Sequence, residues 1–508
     1  DNITTSGGQT YSGATTVGAT LTLSASSITT GSTLAASANA LTMTTDAISL
    51  GGAVSGSGAL VIQPKTAGTT IALGTDATGA LKLDDTEIGY LSNGFSSITI
   101  GSASGTGAIA VNFATVPTFA DNLVIQSSSG TITAVDTIDT ATNTLTISSG
   151  GAVSVAGITS GTLAITGTGI TLNNNITTSG TQTYTGAVTL GDAITLTSNN
   201  NTVSFSGSGS TINGAKAFTV NAGSGAISFG GVVGGSSVLA SLDLTTTHTT
   251  GITLSGNVTT TGSQSYNGAV TLAANTTLAT TNSDVSFGST LNGNAAGRTL
   301  TITAGTGAVT FTGAVGGSAA LGATAITAAS TTNSSTWVGN STLGITGNAV
   351  VNGAISGITT YSVSGTSSIA ANITSSSNQA YTGAVTITGS AVTLNSSSSN
   401  GTVAFSSTVN SAATAANPLT VSAGSGNVTF TGVVGGATDG ALGALTVNTT
   451  GTTTFSAAVT AASVTTNAGG TTAINGGSIT TTGAQTYNDA VVLGADTTLA
   501  ATTATFND

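Results

Sequence analysis

The chain has 508 residues, of which only 4% are charged and 72 are glycine, and it contains no cysteine. Globular domains carry about 25% charged residues, and disordered chains are usually rich in charge or proline, so this composition fits neither class. A formal net charge of −12 with four basic residues excludes binding to nucleic-acid phosphates, and without a run of about 18 apolar residues we expect no membrane insertion.

The first residues, DNITTSGGQTYSG, contain no basic or apolar signal-peptide region. The final residues, Thr505 to Asp508, and the opening Asp1-Asn2 resemble the internal stretch Thr118 to Asn122. We therefore expect a processed product or a segment of something longer.

A motif close to N-I-T-T-x-G-x-Q-x-Y-x-G-A-V-T-L recurs along the chain. A tyrosine packed at a coil corner, with its hydroxyl bonded to the backbone, is the more economical interpretation than an exposed binding stripe. We predict that the tyrosines from Tyr184 onward occupy equivalent corners. The structural glutamines and tyrosines of the motif are Gln9, Tyr11, Gln182, Tyr184, Gln264, Tyr266, Gln379, Tyr381, Gln485 and Tyr487.

An asparagine precedes four of these tyrosines by nine residues. Each fits the Asn-x-Thr spacing of a glycosylation acceptor. Such spacings arise often by chance in this composition, so a stacked asparagine ladder or turn is the favoured interpretation. The four residues are Asn2, Asn175, Asn257 and Asn372.

Residues 79–102 depart from the repeat and carry the densest charge of the chain. Asp84 followed three residues later by Glu87 predicts a capping box that begins a short helical turn through Leu91. We interpret 79–102 as a short insertion with a helical turn.

A second motif follows the first, as in the stretch ITAGTGAVTFTGAVGG. Tyr184 to Tyr266 and Phe229 to Phe311 both span 82 residues, which gives a degenerate repeat of about 82 residues. Within it, apolar and hydroxyl side chains alternate with period two, the pattern of strands with one buried face. An open-ended array of such strands predicts an all-β solenoid over residues 1–508, with roughly 20 residues per coil.

These units and the LKLDDTEIGYLSNG stretch resemble the repeat regions of filamentous-haemagglutinin-like surface proteins of Gram-negative bacteria. The resemblance implies a right-handed parallel β-helix, secretion, and a role in adhesion, biofilm or cell-envelope structure. It also implies an extracellular or cell-surface location associated with the outer membrane.

The candidate groups for catalysis are few. His248 is the sole histidine, and we expect it to be an exposed strand residue. A polysaccharide-cleaving β-helix would need clustered carboxylates, for which the candidates are Asp84, Asp85 and Glu87, or Asp136 with Asp139. Capping and turn formation explain these acids better. We therefore predict no enzyme activity and no catalytic, cofactor-binding or metal-binding residues.

The function favoured by these observations is a structural or adhesive extracellular fibre. The alternatives are a carbohydrate-binding or polysaccharide-cleaving β-helix and an ice-binding solenoid. Ice binding needs a flat face with threonines regularly spaced from coil to coil, and insertions between Tyr266 and Tyr381 and around Leu81 are expected to break it. As partners we expect further copies of the chain, end to end or side by side, and cell-surface or matrix glycans.

Overall fold

Alternating apolar and hydroxyl side chains form the strands, because successive residues of a strand point to opposite faces. In Leu300–Thr303 the leucine and isoleucine are buried while both threonines are exposed. The computed structural model describes residues 2–507. It is all-β, with 52% strand and 2% helix, and its parallel strands stack into a β-solenoid with about 20 residues per coil. The predicted fold class is therefore confirmed.

The chain divides into two units, whose described residues are 2–259 (unit 1) and 260–507 (unit 2). The strands of unit 1, β1 to β29 in chain order, are Ile3–Thr4, Gln9–Tyr11, Thr15–Thr16, Leu21–Ala25, Ile28–Thr30, Leu34–Ala35, Leu41–Thr45, Ile48–Leu50, Val54–Ser55, Ala59–Gln63, Ile71–Leu73, Leu81–Leu83, Ser97–Ser102, Ile109–Val111, Leu123–Ser127, Ile132–Asp139, Leu145–Ser149, Ala152–Ser160, Leu163–Leu172, Ile176–Thr178, Gln182–Leu190, Ile194–Ser198, Val203–Phe205, Ile212–Asn213, Ala217–Gly223, Ile227–Phe229, Ser241–Thr246, Ile252–Leu254 and Val258–Thr259.

Unit 2 has the same construction, with a single turn of 3₁₀ helix at Ser397–Ser399 among its described residues. Its strands, β30 to β59, are Gln264–Asn267, Val270–Leu272, Thr276–Ala279, Val285–Phe287, Leu291–Gly293, Leu300–Thr303, Ala308–Phe311, Thr324–Asn333, Trp337–Val338, Leu343–Val351, Ile355–Ile358, Tyr361–Val363, Ser367–Ile369, Ile373–Ser375, Gln379–Tyr381, Val385–Ile387, Val392–Asn395, Val403–Phe405, Val409–Ser411, Leu419–Gly424, Val428–Phe430, Leu442–Thr449, Thr452–Phe455, Val459–Thr466, Thr471–Ile474, Ser478–Thr481, Ala484–Tyr487, Ala490–Leu493, Thr498–Ala500 and Thr503–Phe506.

Each coil contributes strands to three columns, in which a strand pairs with its counterparts in the coils before and after it. In unit 2, column 1 includes β30, β33, β36, β42, β45 and β48. Column 2 includes β38, β40, β43, β46, β49, β56 and β59. Column 3 includes β41, β44, β47, β50, β52, β54 and β57. Long strands such as β37, β39 and β53 turn a corner and serve two columns.

The number of residues per coil varies along the chain. Leu343 pairs with Tyr361, 18 residues later, whereas Val403 pairs with Val428, 25 residues later. Both the strands, of two to ten residues, and the turns between them vary in length. Inward positions hold the core of valine, isoleucine, leucine, phenylalanine and tyrosine, nearly all of it fully buried.

The helical turn predicted between Asp84 and Leu91 is present as α1, Asp85–Gly89. The side chain of Asp84 accepts the N–H of Glu87 while the Glu87 side chain accepts the N–H of Asp84, so the predicted capping box is confirmed. The flanking strands β12 and β13 pair within the ladder, with β11 and with β10 and β15. Of residues 79–102, only the part around α1 leaves the strand ladder.

Candidate functional site: the buried glutamine and tyrosine pairs

The repeated glutamines and tyrosines point into the shaft. In the four motifs from Gln182 onward the glutamine and the tyrosine are both fully buried, whereas in the first motif Gln9 is 7% exposed and Tyr11 is half-buried. These residues therefore do not line an exposed binding stripe. The pairs contribute to the core, as the structural interpretation requires, although the predicted contact of the hydroxyl with the backbone is wrong.

Each tyrosine hydroxyl donates instead to the glutamine side chain two residues before it. The O–H···Oε1 distance is 2.8 Å for Tyr184 and Tyr381, 2.9 Å for Tyr266 and 3.0 Å for Tyr11 and Tyr487. Because the glutamine side chain has two N–H donors and a carbonyl acceptor, its Oε1 accepts the hydrogen bond from the tyrosine while its Nε2 donates to other groups. Burial raises the pKa of the Tyr184, Tyr266, Tyr361, Tyr381 and Tyr487 phenols, which keeps them neutral donors.

The glutamine also forms a hydrogen bond with the neighbouring coil. Gln182 Nε2 donates to the hydroxyl of Thr178 at 3.2 Å and to the carbonyl of Thr197 at 2.9 Å. Thr197 lies in the next coil, paired with Thr177. The Thr178 hydroxyl donates to the Gly180 carbonyl. The same relay recurs at Gln9, Gln264, Gln379 and Gln485, so the motif encodes a buried link between two coils.

The tyrosines share these surroundings but do not lie at equivalent positions around the shaft. In unit 2, Tyr266 lies in column 1, Tyr487 in column 2 and Tyr381 in column 3. In unit 1, Tyr184 pairs with Ile165 and Phe205, whereas Tyr11 lies in the separate ladder β2-β5-β8. The prediction of equivalent corners is wrong, because the strands between successive motifs do not make up a whole number of three-strand coils.

Most of these tyrosines begin a stack of aromatic rings. Tyr381 stacks on Phe405 at 5.1 Å between ring centroids, Phe405 on Phe430 at 4.9 Å and Phe430 on Phe455 at 5.2 Å. Tyr184, Tyr266 and Tyr487 stack on the phenylalanine of the following coil in the same way. These stacks were not predicted, although the 21-residue offset from Tyr184 to Phe205 and from Tyr266 to Phe287 indicated them.

Asparagines at the turns form a second link between coils. The Oδ1 of Asn2 accepts the N–H of Thr22, that of Asn175 accepts from Thr195, and that of Asn372 accepts from Thr393, at 2.7 to 3.0 Å. Each acceptor therefore binds a backbone donor about one coil later. The predicted asparagine turn is confirmed for these three residues. Asn257 also has a partner.

The carboxylates considered for catalysis accept hydrogen bonds from backbone N–H or hydroxyl groups. Asp85 accepts the N–H groups of Thr75, Ala114 and Thr115 at 2.9 to 3.1 Å. Desolvation by burial is the largest single influence and raises the pKa of Asp85, but the hydrogen bonds from Thr75, Thr115 and Ala114 together outweigh it and hold the pKa below its usual value. Glu87 accepts the N–H of Leu50, and Asp136 that of Phe113. Each acid thus fixes a turn to its neighbour.

The remaining ionisable candidates have local roles. His248 follows β27 in a turn rather than in a strand, and its Nδ1 lies 2.8 Å from the Thr250 hydroxyl. Lys65 and Lys82 donate to the carbonyls of Thr5 and Thr75. Within residues 2–507, no three histidine, aspartate or glutamate side chains come close enough together to hold a metal ion.

The outer face of column 2 carries a regular row of threonines. In six successive coils of unit 2 a half-buried threonine pairs in register with the next, and all of them except the last, Thr505, are flanked on both sides by buried residues of their strand. The row lies outside the insertions between Tyr266 and Tyr381 and around Leu81 that were expected to break such a face. The row comprises Thr393, Thr420, Thr446, Thr465, Thr486 and Thr505.

A shallow groove of about 600 Å³ adjoins this face, between Ser397 and Asn467. It is lined by serine, threonine, asparagine and glycine. Several of its polar groups already bind within the shaft, because Asn400 accepts the N–H of Ser425 and Asn467 that of Thr449. The groove therefore offers hydroxyls and amides but no charge.

Comparison with known proteins gives no relative. No protein-family model matches the chain, and no curated protein or solved structure is significantly similar to it. The resemblance to filamentous-haemagglutinin-like proteins therefore stays a prediction from the motifs. In the part of the chain that the structure describes, no helix is long and apolar enough to cross a membrane.

Proposed function

We propose that the chain is the shaft of a structural or adhesive fibre at the bacterial cell surface and that it has no catalytic role. The observation that carries the proposal is the use of the repeated motif. Its glutamine, tyrosine and threonine are directed inward and link one coil to the next. A repeat whose most constant side chains hold successive coils together is suited to stabilising an extended array of coils.

The positions of the carboxylates also support this function over polysaccharide cleavage. General acid-base hydrolysis needs two carboxyl groups that face a shared substrate. Asp85 and Glu87 instead accept hydrogen bonds from backbone N–H groups of neighbouring segments. The exposed groups of the shaft are mainly hydroxyls and amides, which makes cell-surface or matrix glycans the proposed partners in adhesion.

Self-association is part of the proposal. In unit 2, β57, β58 and β59 each pair with one strand among the described residues. Val492, Leu493 and Phe506 are more than half exposed. A strand edge with exposed apolar side chains favours pairing with further strands. We propose that a second copy of this chain covers that surface.

Electron microscopy and sedimentation of the purified chain test this function. We expect rods or fibres longer than one chain, with a mass that rises with concentration. Leu493→Lys should reduce the assembled fraction, because it places a charge on the edge. Ala495→Lys, at an exposed turn residue next to the same edge, serves as the matched control and should assemble normally. Monomers at every concentration would contradict the proposal.

The threonine row of column 2 supports one second candidate, an ice-binding face. Six in-register threonines on one sheet face supply the regular hydroxyl array that such binding needs. The test is inhibition of ice recrystallisation. Thr446→Lys should abolish it, whereas Thr253→Lys, on an outward strand position in unit 1, should not. Wild-type protein without inhibition rejects this candidate.

A further inference from the structure

We propose that residues 324–369 of unit 2, the yielding segment, open locally while the coils that follow stay folded. The segment comprises strands β37 to β42. The opening follows from the packing of these coils alone. That this segment would unfold first when the fibre is under mechanical tension rests on the proposed function.

The first observation is a cluster of buried polar atoms without partners. Thr331 Oγ1, Asn333 Oδ1, Tyr361 OH and Ser367 Oγ have no hydrogen-bond partner, and all four residues are at most 4% exposed. Elsewhere in the described part of unit 2 only Thr453 and Thr466 share this property. A buried polar group without a partner lowers stability, so this cost is concentrated in the yielding segment.

Tyr361 shows the cause at the level of sequence. Its hydroxyl lacks a partner, whereas the hydroxyl of Tyr381 in the next coil donates to Gln379 at 2.8 Å. Thr359 occupies the position that glutamine holds in the repeated motif. The link from one coil to the next that the glutamine provides is therefore missing from this coil.

Side-chain packing is also poorer here. An enclosed void of about 10 Å³ lies against Thr331, Asn333 and Trp337. Tyr361 is tilted by 54° against Tyr381, so the parallel ring stack does not extend into the segment. The rings from Tyr381 to Phe455 instead stack within 15° of parallel. A void removes contacts from the side chains that line it, which weakens the segment further.

The strand pairing is interrupted in the same coils. The register shifts between Ile355 and Ile358 where β40 pairs with β43, whereas the shift between Thr327 and Ser330 marks the corner at which β37 and β39 pass from one column to the next. In a solenoid each coil contacts only its neighbours, so a local weakness is not compensated by distant contacts. Long arrays of this kind also lose two-state behaviour. Opening of one segment is therefore expected before global unfolding.

Trp337 makes the proposal directly measurable. It is the sole tryptophan of the chain, it lies within the yielding segment, and it is 2% exposed. On heating the full chain, we expect its emission to shift to the red several degrees below the loss of far-UV circular dichroism, which reports all strands. Hydrogen exchange should locate the early opening to residues 324–369.

Three variants distinguish this explanation from general fraying. Tyr361→Phe and Thr331→Val remove unpaired polar atoms and should raise the Trp337 midpoint by a few degrees towards the circular dichroism midpoint. Thr466→Val removes an unpaired hydroxyl outside the segment and should leave the Trp337 midpoint unchanged. Coincident transitions in the wild-type chain, or a lower Trp337 midpoint in Tyr361→Phe, would overturn the proposal. Neither result depends on whether the chain forms fibres.

Discussion

The glutamine of the repeated motif links buried polar groups of two neighbouring coils. In Gln379, Oε1 accepts from Tyr381 while Nε2 donates to Ser375 and to the Asn395 carbonyl. A buried donor or acceptor left without a partner costs about 1–3 kcal/mol. A side chain that satisfies several such groups, in two coils, therefore fixes their relative position without charge or disulfide.

The buried tyrosines predict an alkaline limit to stability. Desolvation raises the pKa of Tyr184, Tyr266, Tyr361, Tyr381 and Tyr487 above the unfolded value of about 10. A raised folded pKa means that the stabilisation is complete below the unfolded pKa and is lost as the pH rises above it. We expect the phenolate absorbance of these tyrosines to appear only together with the loss of circular dichroism.

A stopped-flow pH jump measures both signals in one sample. If the buried phenolates form within the mixing time while the strand signal persists, the hydroxyls are accessible in the folded state and the prediction fails. Tyr487→Phe serves as an internal control, since it should reduce the amplitude of the slow phenolate phase without abolishing that phase.

At the scale of elements, α1 depends on contacts beyond its own five residues. Isolated helices of this length are unstable in water. The capping box satisfies its first turn, and Ile88 is buried beneath it. Asp85 then accepts N–H groups from Thr75, Ala114 and Thr115, so the start of the helix also fixes two neighbouring turns.

Asp85→Ala should therefore lower the thermal midpoint at neutral pH and speed hydrogen exchange at Ala114 and Thr115. The pKa of Asp85 is lowered in the folded chain, so its stabilisation is present above the unfolded pKa of about 3.9 and is lost as the pH falls through the folded pKa. Differential scanning calorimetry at pH 7 and at pH 2 should show the deficit shrinking in acid.

The control for that measurement is Asp496→Ala, which removes an exposed carboxylate from a turn of unit 2. It should leave the midpoint unchanged at both pH values. An equal deficit for Asp85→Ala at pH 7 and pH 2 would mean that the ionised carboxylate is not the stabilising species.

Local features of the elements were predictable because neighbouring residues decide them. Asp84 and Glu87 lie three residues apart, and their spacing alone indicates the capping box. The acceptor of the tyrosine hydroxyl was not predicted. Gln182 and Tyr184 both point inward because they are two residues apart in a strand, but their contact competes with backbone carbonyls that the sequence does not place.

For the whole molecule, period-two patterning and the repeat predicted the stacked all-β fold. Both patterns consist of residue types that recur at fixed offsets, which the sequence shows directly. The column that each motif occupies could not be predicted. It is set by the number of strands between successive motifs, and because coils vary from 18 residues after Leu343 to 25 after Val403, that number does not follow from residue spacing.

The occupation of all three columns by the same motif has a consequence for how such a chain can change during evolution. Tyr266, Tyr381 and Tyr487 make the same contact with glutamine in three different columns. A duplicated or deleted piece of gene therefore need not encode a whole number of coils, because one strand and one turn gained or lost moves the motif to another column where it folds equally well. Unequal recombination within the gene should yield foldable products of many lengths.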